Sequence, residues 1–186
     1  MPPVTARPFL KWAGGKAQLL DAFGARVPPE LAGGGLPVFV EPFMGGGAVY
    51  FHFNSTFRFR ECHLFDINEE LVLAYSVVKN DVAGLIDCLR SISDDFLPRD
   101  EAGRREFYYA VRDEFNRAKG TIDFERYSKD WTERAAQFIF LNRTCFNGLY
   151  RVNSRGGFNV PFGRYKNPGI LHEGLLRADA GLLRNT

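Results

Sequence analysis

Apolar residues recur along this chain in two different rhythms. In the first 80 residues, short apolar runs alternate with helical spacing. Val38-Phe39-Val40 reads as a short buried strand, and Cys62-His63-Leu64-Phe65 as a second strand ending at Asp66. Between them Pro42 to Gly47 forms a glycine-rich turn, and Ala48-Val49-Tyr50-Phe51 opens a helix. Asn68 can cap a helix that starts at Glu69, in which Leu71, Val72, Tyr75 and Val78 share one face. Upstream, residues 8–26 read as a loop and then a helix, with Gly14-Gly15 as the turn and Leu19, Leu20 and Phe23 as the apolar face. Pro28-Pro29 and Gly33-Gly34-Gly35 break the chain. Strand, turn, helix, strand, helix is an α/β signature.

The rhythm then changes. From about Val82 to Asn142 the spacing is purely helical. Leu85, Cys88 and Leu89 form one apolar face, Phe107, Tyr108, Val111 and Phe115 another, and Ala135, Phe138, Ile139 and Leu141 mark a third helix. Residues 143–168 are rich in Arg, Asn, Gly and aromatics and have poor helix propensity. Residues 171–186 regain a helical pattern through Leu171, Leu175, Leu176, Leu182 and Leu183.

Composition narrows the function classes. At 186 residues the chain is long enough for one domain, or a domain with a sizeable insertion. A 45% hydrophobic content is enough to bury a core. The net charge of +2 excludes a uniformly basic nucleic-acid coat but not a local basic patch. No apolar run is long enough for a transmembrane helix, and the N-terminus lacks the pattern of a signal peptide. Cys62, Cys88 and Cys145 are far apart and unpaired in pattern, and His52, His63 and His172 show no ligand spacing. Buried or incidental thiols in a reducing cytoplasm are therefore expected, with no metal site and no membrane partner.

The residues that carry chemistry begin at Glu41-Pro42-Phe43-Met44-Gly45-Gly46-Gly47, placed directly after a strand and before a helix. Glycine lets the backbone approach a ligand closely, and the helix N-terminus favours polar or anionic groups. Asp66 ends the neighbouring strand, where a carboxylate can accept hydrogen bonds from a ribose. On spacing alone a purely structural turn competes with this nucleoside-site reading. A plain dinucleotide fingerprint fits poorly, because Tyr50 holds the position of its third glycine. Ala13-Gly14-Gly15-Lys16 is not a phosphate loop, since Leu10 stands where a glycine is required and Ala17 replaces the Ser or Thr. Lys16 can equally be a solvated lysine and Trp12 a core aromatic.

Three segments in order resemble the Dam-type, D12-class DNA adenine-N6 methyltransferases. Phe9-Leu10-Lys11-Trp12-Ala13-Gly14-Gly15-Lys16 is similar to their N-terminal cofactor motif, and Glu41 to Gly47 to their main S-adenosylmethionine loop. Leu141-Asn142-Arg143-Thr144-Cys145-Phe146-Asn147-Gly148-Leu149-Tyr150-Arg151, with Gly157 to Lys166, resembles their DNA-recognition hairpin. The match runs from about residue 7 to 170. It implies a Rossmann-like S-adenosylmethionine-dependent α/β fold, incomplete in this chain, with an inserted helical and β-hairpin target-recognition domain. Residues 1–81 would belong to the cofactor domain and 82–168 to the recognition domain with its hairpin at about 143–166. Residues 169–186 would begin the return to the catalytic domain.

By the same resemblance, Trp12, Lys16, Glu41, Phe43, Gly45, Gly47, Asp66 and Ile67 would bind the cofactor S-adenosylmethionine, with Asp66 on the ribose and Ile67 on the adenine ring. Arg143, Phe146, Asn147, Leu149, Arg151, Pro161, Arg164 and Lys166 would face double-stranded DNA, with Leu149, Arg151 and Pro161 at base edges and Phe146 wedged into the stack. Residues 143–172 carry five basic and no acidic side chains, interleaved with aromatics, as suits a hairpin entering a groove. The family's common target, GATC, is the leading expectation.

The family's catalytic Asp-Pro-Pro-Tyr does not occur in the sequence; Pro28-Pro29 is flanked by Val27 and Glu30. That segment holds an adenine flipped out of the duplex and accepts its N6 hydrogens. In the family it follows the recognition domain, so it is expected beyond Thr186, and no catalytic residue is expected within residues 1–186. The expectation is an N-terminal portion of an adenine-specific enzyme, marginally stable alone or needing a second chain that carries the catalytic half, in the cytoplasm or near the nucleoid. Two other readings stay open: a non-catalytic module that binds S-adenosylmethionine and DNA, and a nicotinamide-binding fragment supported only by the glycines and Asp66.

Overall fold

Val38–Glu41 (β1) and Glu61–Leu64 (β2) pair in parallel, with Phe39 opposite Cys62 and Val40 opposite His63, in the computed structural model, which describes residues 4–32 and 37–186. The Gly33-Gly34-Gly35 break lies outside the described residues. Alternation along β1 turns Phe39 toward Tyr50, Phe53 and Phe59, while Val38 and Val40 are 42% and 56% exposed. The expectation of a buried β1 is therefore corrected. Among the described residues β1 has a strand neighbour on one side only, so one face and one edge stay open.

The helix expected within residues 8–26 is short: Leu20–Gly24 (α1) follows a 3-10 turn at Ala17–Leu19. Its supposed apolar face is not buried, with Leu19 45% and Phe23 37% exposed. Pro29–Ala32 forms a single helical turn (α2). Ala48–Phe57 (α3) connects the two strands, and Glu69–Asn80 (α4) follows β2. Asn68 caps α4 as its sequence position demands, its side-chain oxygen accepting from the Leu71 N–H at 3.2 Å. Leu71, Tyr75 and Val78 of the predicted face are buried.

The helical middle consists of Val82–Phe96 (α5), Glu101–Ala118 (α6) and Asp130–Thr144 (α7). Asp81 and Asp100 cap α5 and α6 through the Gly84 and Gly103 N–H groups. α7 is the axis of the molecule: twelve of its fifteen residues are buried, and it packs on α4, α5 and α6. Its position ties the α/β part to the helical part through one continuous core that runs from Phe9 to Leu183. Arg134 of α7 is buried. Its Nε donates to Glu70 of α4 at 2.8 Å, a terminal nitrogen also bonds Glu70, and another donates to the Phe115 carbonyl of α6 at 3.0 Å.

After α7 the chain makes a hairpin, but not a regular two-stranded one. Isolated antiparallel bridges join Cys145 to Phe162 and Val152 to Phe158. The tip is an Asn153 turn whose side-chain oxygen accepts from the Arg155 and Gly157 N–H groups. The hairpin expected at about 143–166 is thus narrower. Residues 143 and 144 still belong to α7, where the helical pattern of its buried face continues. Glu173–Leu182 (α8) packs against α3, α4 and α5, and a 3-10 turn at Leu183–Asn185 follows it. Thr186 is tied to that turn and to α4: its hydroxyl donates to the Leu183 carbonyl at 2.7 Å, and its own carbonyl accepts from Lys79 Nζ.

Candidate functional site

At the C-terminal end of the parallel pair the backbone folds into a tight cradle. Met44 N–H donates to the Phe65 carbonyl and Phe65 N–H to the Glu41 carbonyl, both at 2.9 Å, so the turns after β1 and β2 are stitched together. Asp66 completes the seam. One carboxylate oxygen accepts from the Gly45 N–H at 2.8 Å and the other from the Asn68 N–H at 2.9 Å. Gly45 and Gly47 both take left-handed backbone, φ 51° and 71°. Gly47 also meets a steric demand: a Cβ there would overlap the Tyr75 hydroxyl.

The cradle encloses a cavity of about 220 Å³, bounded by Trp12 to Lys16, Glu41, Phe43 to Gly46 and Asp66. The Trp12 indole closes one side. A Cβ on Gly45 or Gly46 would come within 3.1–3.2 Å of Trp12, so the glycines let the loop lie against the ring. Trp12 in turn stacks on Tyr150 at 5.4 Å between centroids. Lys16 curls over the Gly14-Gly15 turn, its Nζ donating to the Gly14 carbonyl at 2.6 Å. Glu41 reaches the N-terminal turn of α3 and accepts from the Tyr50 N–H at 3.1 Å. Burial pushes its carboxyl up to about 7, against the lowering pull of that N–H and of Lys16. The pocket thus offers a polar ligand two carboxyl groups as acceptors and the Lys16 ammonium as a donor.

Of the sequence-predicted cofactor residues, Trp12, Lys16, Glu41, Phe43, Gly45 and Asp66 line this cavity together. Gly47 and Ile67 do not line it. Gly47 is buried against Tyr75, and Ile67 is 97% exposed beside the rim. Thr186 does not line it either. It borders a separate cleft with Cys62 to Leu64 of β2, Phe65 after it, and Tyr75, Ser76 and Lys79 of α4, and it contributes no group to the cofactor cavity. Gly46 and Met44 line the cavity without having been singled out. Asn142 is another residue that spacing did not flag as functional. It accepts from the Lys11 N–H at 2.8 Å and donates to the carbonyls of Lys11 and Gly148, joining the Trp12 segment to the base of the hairpin. Its presence inside the Leu141–Arg151 segment was the available signal.

The hairpin presents Phe146, Leu149 and Arg151 outward beside exposed Asn147 and Pro161. Asn147 and Gly148 have positive φ, 55° and 63°, and at Gly148 the backbone presses on the Lys11 side chain. Arg151 is held across the hairpin, its Nε donating to Asn159 Oδ1 at 2.7 Å. Arg164 and Lys166 are exposed on the segment that leaves the hairpin. Arg143 is placed differently from the others. It donates to the Phe9 carbonyl at 2.6 Å from a part-buried position, and burial lowers its pKa. Its guanidinium therefore holds the N-terminal segment on α7. Among the described residues no group of three or more potential metal ligands occurs, and no helix is long and apolar enough to cross a membrane.

With this geometry in hand, comparison with known proteins is specific. The family described as D12 class N6 adenine-specific DNA methyltransferase matches residues 12–185. The chain is 52% identical over 179 residues to the type II methyltransferase M.MjaIII of Methanocaldococcus jannaschii, covering 96% of this chain and 60% of that protein. It is 40% identical over 162 residues to the DNA adenine methylase of Escherichia coli K12, covering 87% of this chain and 49% of that one. It is 35% identical over 182 residues to the type II methyltransferase M1.LlaDCHI of Lactococcus lactis subsp. cremoris, covering 98% and 56%. The chain spans about half to three-fifths of the length of these relatives.

Proposed function

The chain belongs to the D12 class N6 adenine-specific DNA methyltransferase family, with a Rossmann-like fold and helical insertions, and on that premise we propose that it supplies the S-adenosylmethionine pocket and DNA-reading surface of a site-specific adenine-N6 methyltransferase. The observation that carries this is the cavity in which the Trp12 ring, the Gly45-Gly46 backbone and the Glu41 and Asp66 carboxylates converge. Trp12, Lys16, Glu41, Phe43, Gly45, Gly47, Asp66 and Ile67 hold the cofactor. At about 220 Å³ the cavity is smaller than the roughly 300 Å³ at which whole-ligand pockets begin. It takes the charged methionine end and part of the ribose, and the adenine lies outside on Ile67. That also gives a reason for an isoleucine 97% exposed. Gly47 acts from behind, by fixing the loop against Tyr75.

S-Adenosylmethionine, when bound, supplies an electrophilic methyl group. This chain's own residues orient it and bring DNA to it. Residues 82–168 form the target-recognition part, with Leu149, Arg151 and Pro161 at base edges and Phe146 entering the stack. Asn147, Arg164 and Lys166 lie near the backbone, and Arg143 supports the hairpin base. GATC is the proposed site, and the adenine is flipped out for transfer. Accepting the N6 protons falls to an Asp-Pro-Pro-Tyr segment, which residues 1–186 do not contain and which further polypeptide beyond Thr186, or a second chain, would bring. A second reading is a non-catalytic S-adenosylmethionine- and DNA-binding half. It is favoured by the direct joining of the two surfaces within this chain, through Asn142 and the Trp12–Tyr150 stack.

Calorimetry with S-adenosylmethionine and with NAD tests the pocket; binding of NAD alone overturns the family's cofactor here. Methyl transfer to a GATC duplex, by the chain alone and with a polypeptide bearing Asp-Pro-Pro-Tyr, separates the two readings. Transfer in the supplemented sample supports the enzyme, and a folded complex without transfer supports the binding half. Arg151→Ala should cost about 1–3 kcal/mol of discrimination at one base pair. Equal weakening on every sequence would make Arg151 a phosphate contact.

A further inference from the structure

Another polar cleft, of about 460 Å³, opens on the helical side of the molecule, between the α5–α6 turn and the segment leaving the hairpin. Arg99, Arg104, Arg164 and Lys166 line it against one carboxylate, Glu101. These cations are not equivalent. Arg104 is committed to the fold: one terminal nitrogen donates to the Lys166 carbonyl at 2.9 Å and the other bonds the Leu97 carbonyl. It therefore fastens the 164–167 segment to α6. Arg99 is exposed and pre-oriented. Its Nε donates to the Asp95 carbonyl at 2.8 Å and its guanidinium lies 5.0 Å from the Phe107 ring centre. Its two terminal nitrogens make no hydrogen bond or ion pair among the described residues.

Arg164 faces Glu101 at 3.5 Å, with both side chains about two-thirds exposed. An exposed pair at that distance is weak and easily exchanged. The cleft thus holds the pre-oriented Arg99 fork beside two exposed cations, Arg164 and Lys166, with one internal anion that a stronger anion can replace. Guanidinium forks match the geometry of phosphate oxygens. The cleft is also continuous with the hairpin, since Phe162, which lines it, is bridged to Cys145.

We propose that this cleft is a phosphodiester site in its own right, gripping the DNA backbone on the flank of the bases read by the hairpin, with Arg99 as donor fork and Glu101 as the counter-ion that phosphate displaces. The inference rests on the DNA reading above and adds to it residues of the helical insertion that no motif marks. Such a contact fixes the register of the protein on the duplex without carrying sequence information.

The test is fluorescence anisotropy with a labelled duplex carrying about ten base pairs on each side of the recognition site and with one trimmed to the site, across a salt series. Arg99→Ala should reduce the slope of log affinity against log salt by about 0.9, the share of one phosphate. That means about three- to fourfold less affinity lost between 50 and 200 mM salt. The effect should appear on the long duplex, equally for all sequences, and vanish on the trimmed one. Glu101→Gln should tighten binding, and both variants should keep wild-type S-adenosylmethionine affinity, which reports folding. An unchanged slope in Arg99→Ala, or an equal effect on the trimmed duplex, overturns the proposal while leaving the DNA reading intact. Competition by poly-glutamate as effective as by duplex would assign the cleft to acidic peptides instead. A wild-type protein that binds neither duplex overturns the DNA reading, and this inference with it.

Discussion

Asp66 holds the cradle with both oxygens, one on Gly45 and one on Asn68, and any ligand hydroxyl must share those lone pairs. Asp66→Ala removes a charged acceptor and frees the Gly45 amide, which should cost about 1.5–3 kcal/mol in the bound state. S-Adenosylmethionine affinity by calorimetry should then fall roughly ten- to hundredfold. Gly47 tests the other side of the loop. Gly47→Ala must place a Cβ at φ 71° and against the Tyr75 hydroxyl. Urea unfolding should show a loss of at least about 1–2 kcal/mol from the left-handed backbone alone. Adding Tyr75→Phe should return only the part due to the hydroxyl. The sequence marked Gly47 because of its place in the glycine turn, but not Tyr75, which read only as one apolar position on α4.

Among the elements, α7 shows where pattern reading stops. Its apolar residues announced a helix, yet the polar Arg134, Gln137 and Asn142 are buried along with them. Arg134 and Glu70 are 64 residues apart in sequence and meet only because α4 and α7 pack together. Glu70→Gln leaves the guanidinium buried without its counter-charge and should cost about 3–5 kcal/mol in unfolding free energy. Replacing both partners with apolar residues should cost much less, because no charge is then stranded. β1 shows the converse. Its apolar run fixed the strand, but no local signal says whether a neighbour covers Val38 and Val40, since burial depends on the next strand.

For the molecule as a whole, acid–base behaviour follows from two carboxyls taken out of water, Asp179 in the core and Glu41 in the cofactor cavity. Asp179 on α8 is fully buried, accepts from the Arg7 N–H at 3.0 Å, and has its other oxygen without a hydrogen-bond partner. Burial pushes it up to about 7, opposed by Arg7, and Glu41 is likewise raised to about 7. Tyr75 of α4 and Tyr50 of α3 feel the Asp179 charge and are raised, chiefly by burial. Both carboxyls are protonated in the fold where the unfolded chain would already have lost their protons. Their stabilisation is therefore complete below the ordinary carboxylate range and declines as pH rises toward 7. Asp179→Asn should flatten this. Urea midpoints at pH 4.5 and 7.5 should show the variant gaining on the wild type at the higher pH, and a constant difference would refute the linkage.

Local chemistry along the sequence was enough for the α/β start, the helical middle, the Asn68 cap, the glycine turn and the basic aromatic hairpin. Each depends on propensity, periodicity or residue type within a few positions. Tertiary structure decided what depends on distant partners: the exposed face of β1, the joining of Trp12 to the hairpin by Asn142 and Tyr150, and the use of Arg143 and Arg134 as internal ties. It also decided the convergence of Arg99 and Arg164 on one cleft. Hydrophobic periodicity records which face a residue occupies. It does not record what stands opposite, and that is set by packing between segments more than a hundred residues apart, as with Lys11 and Asn142.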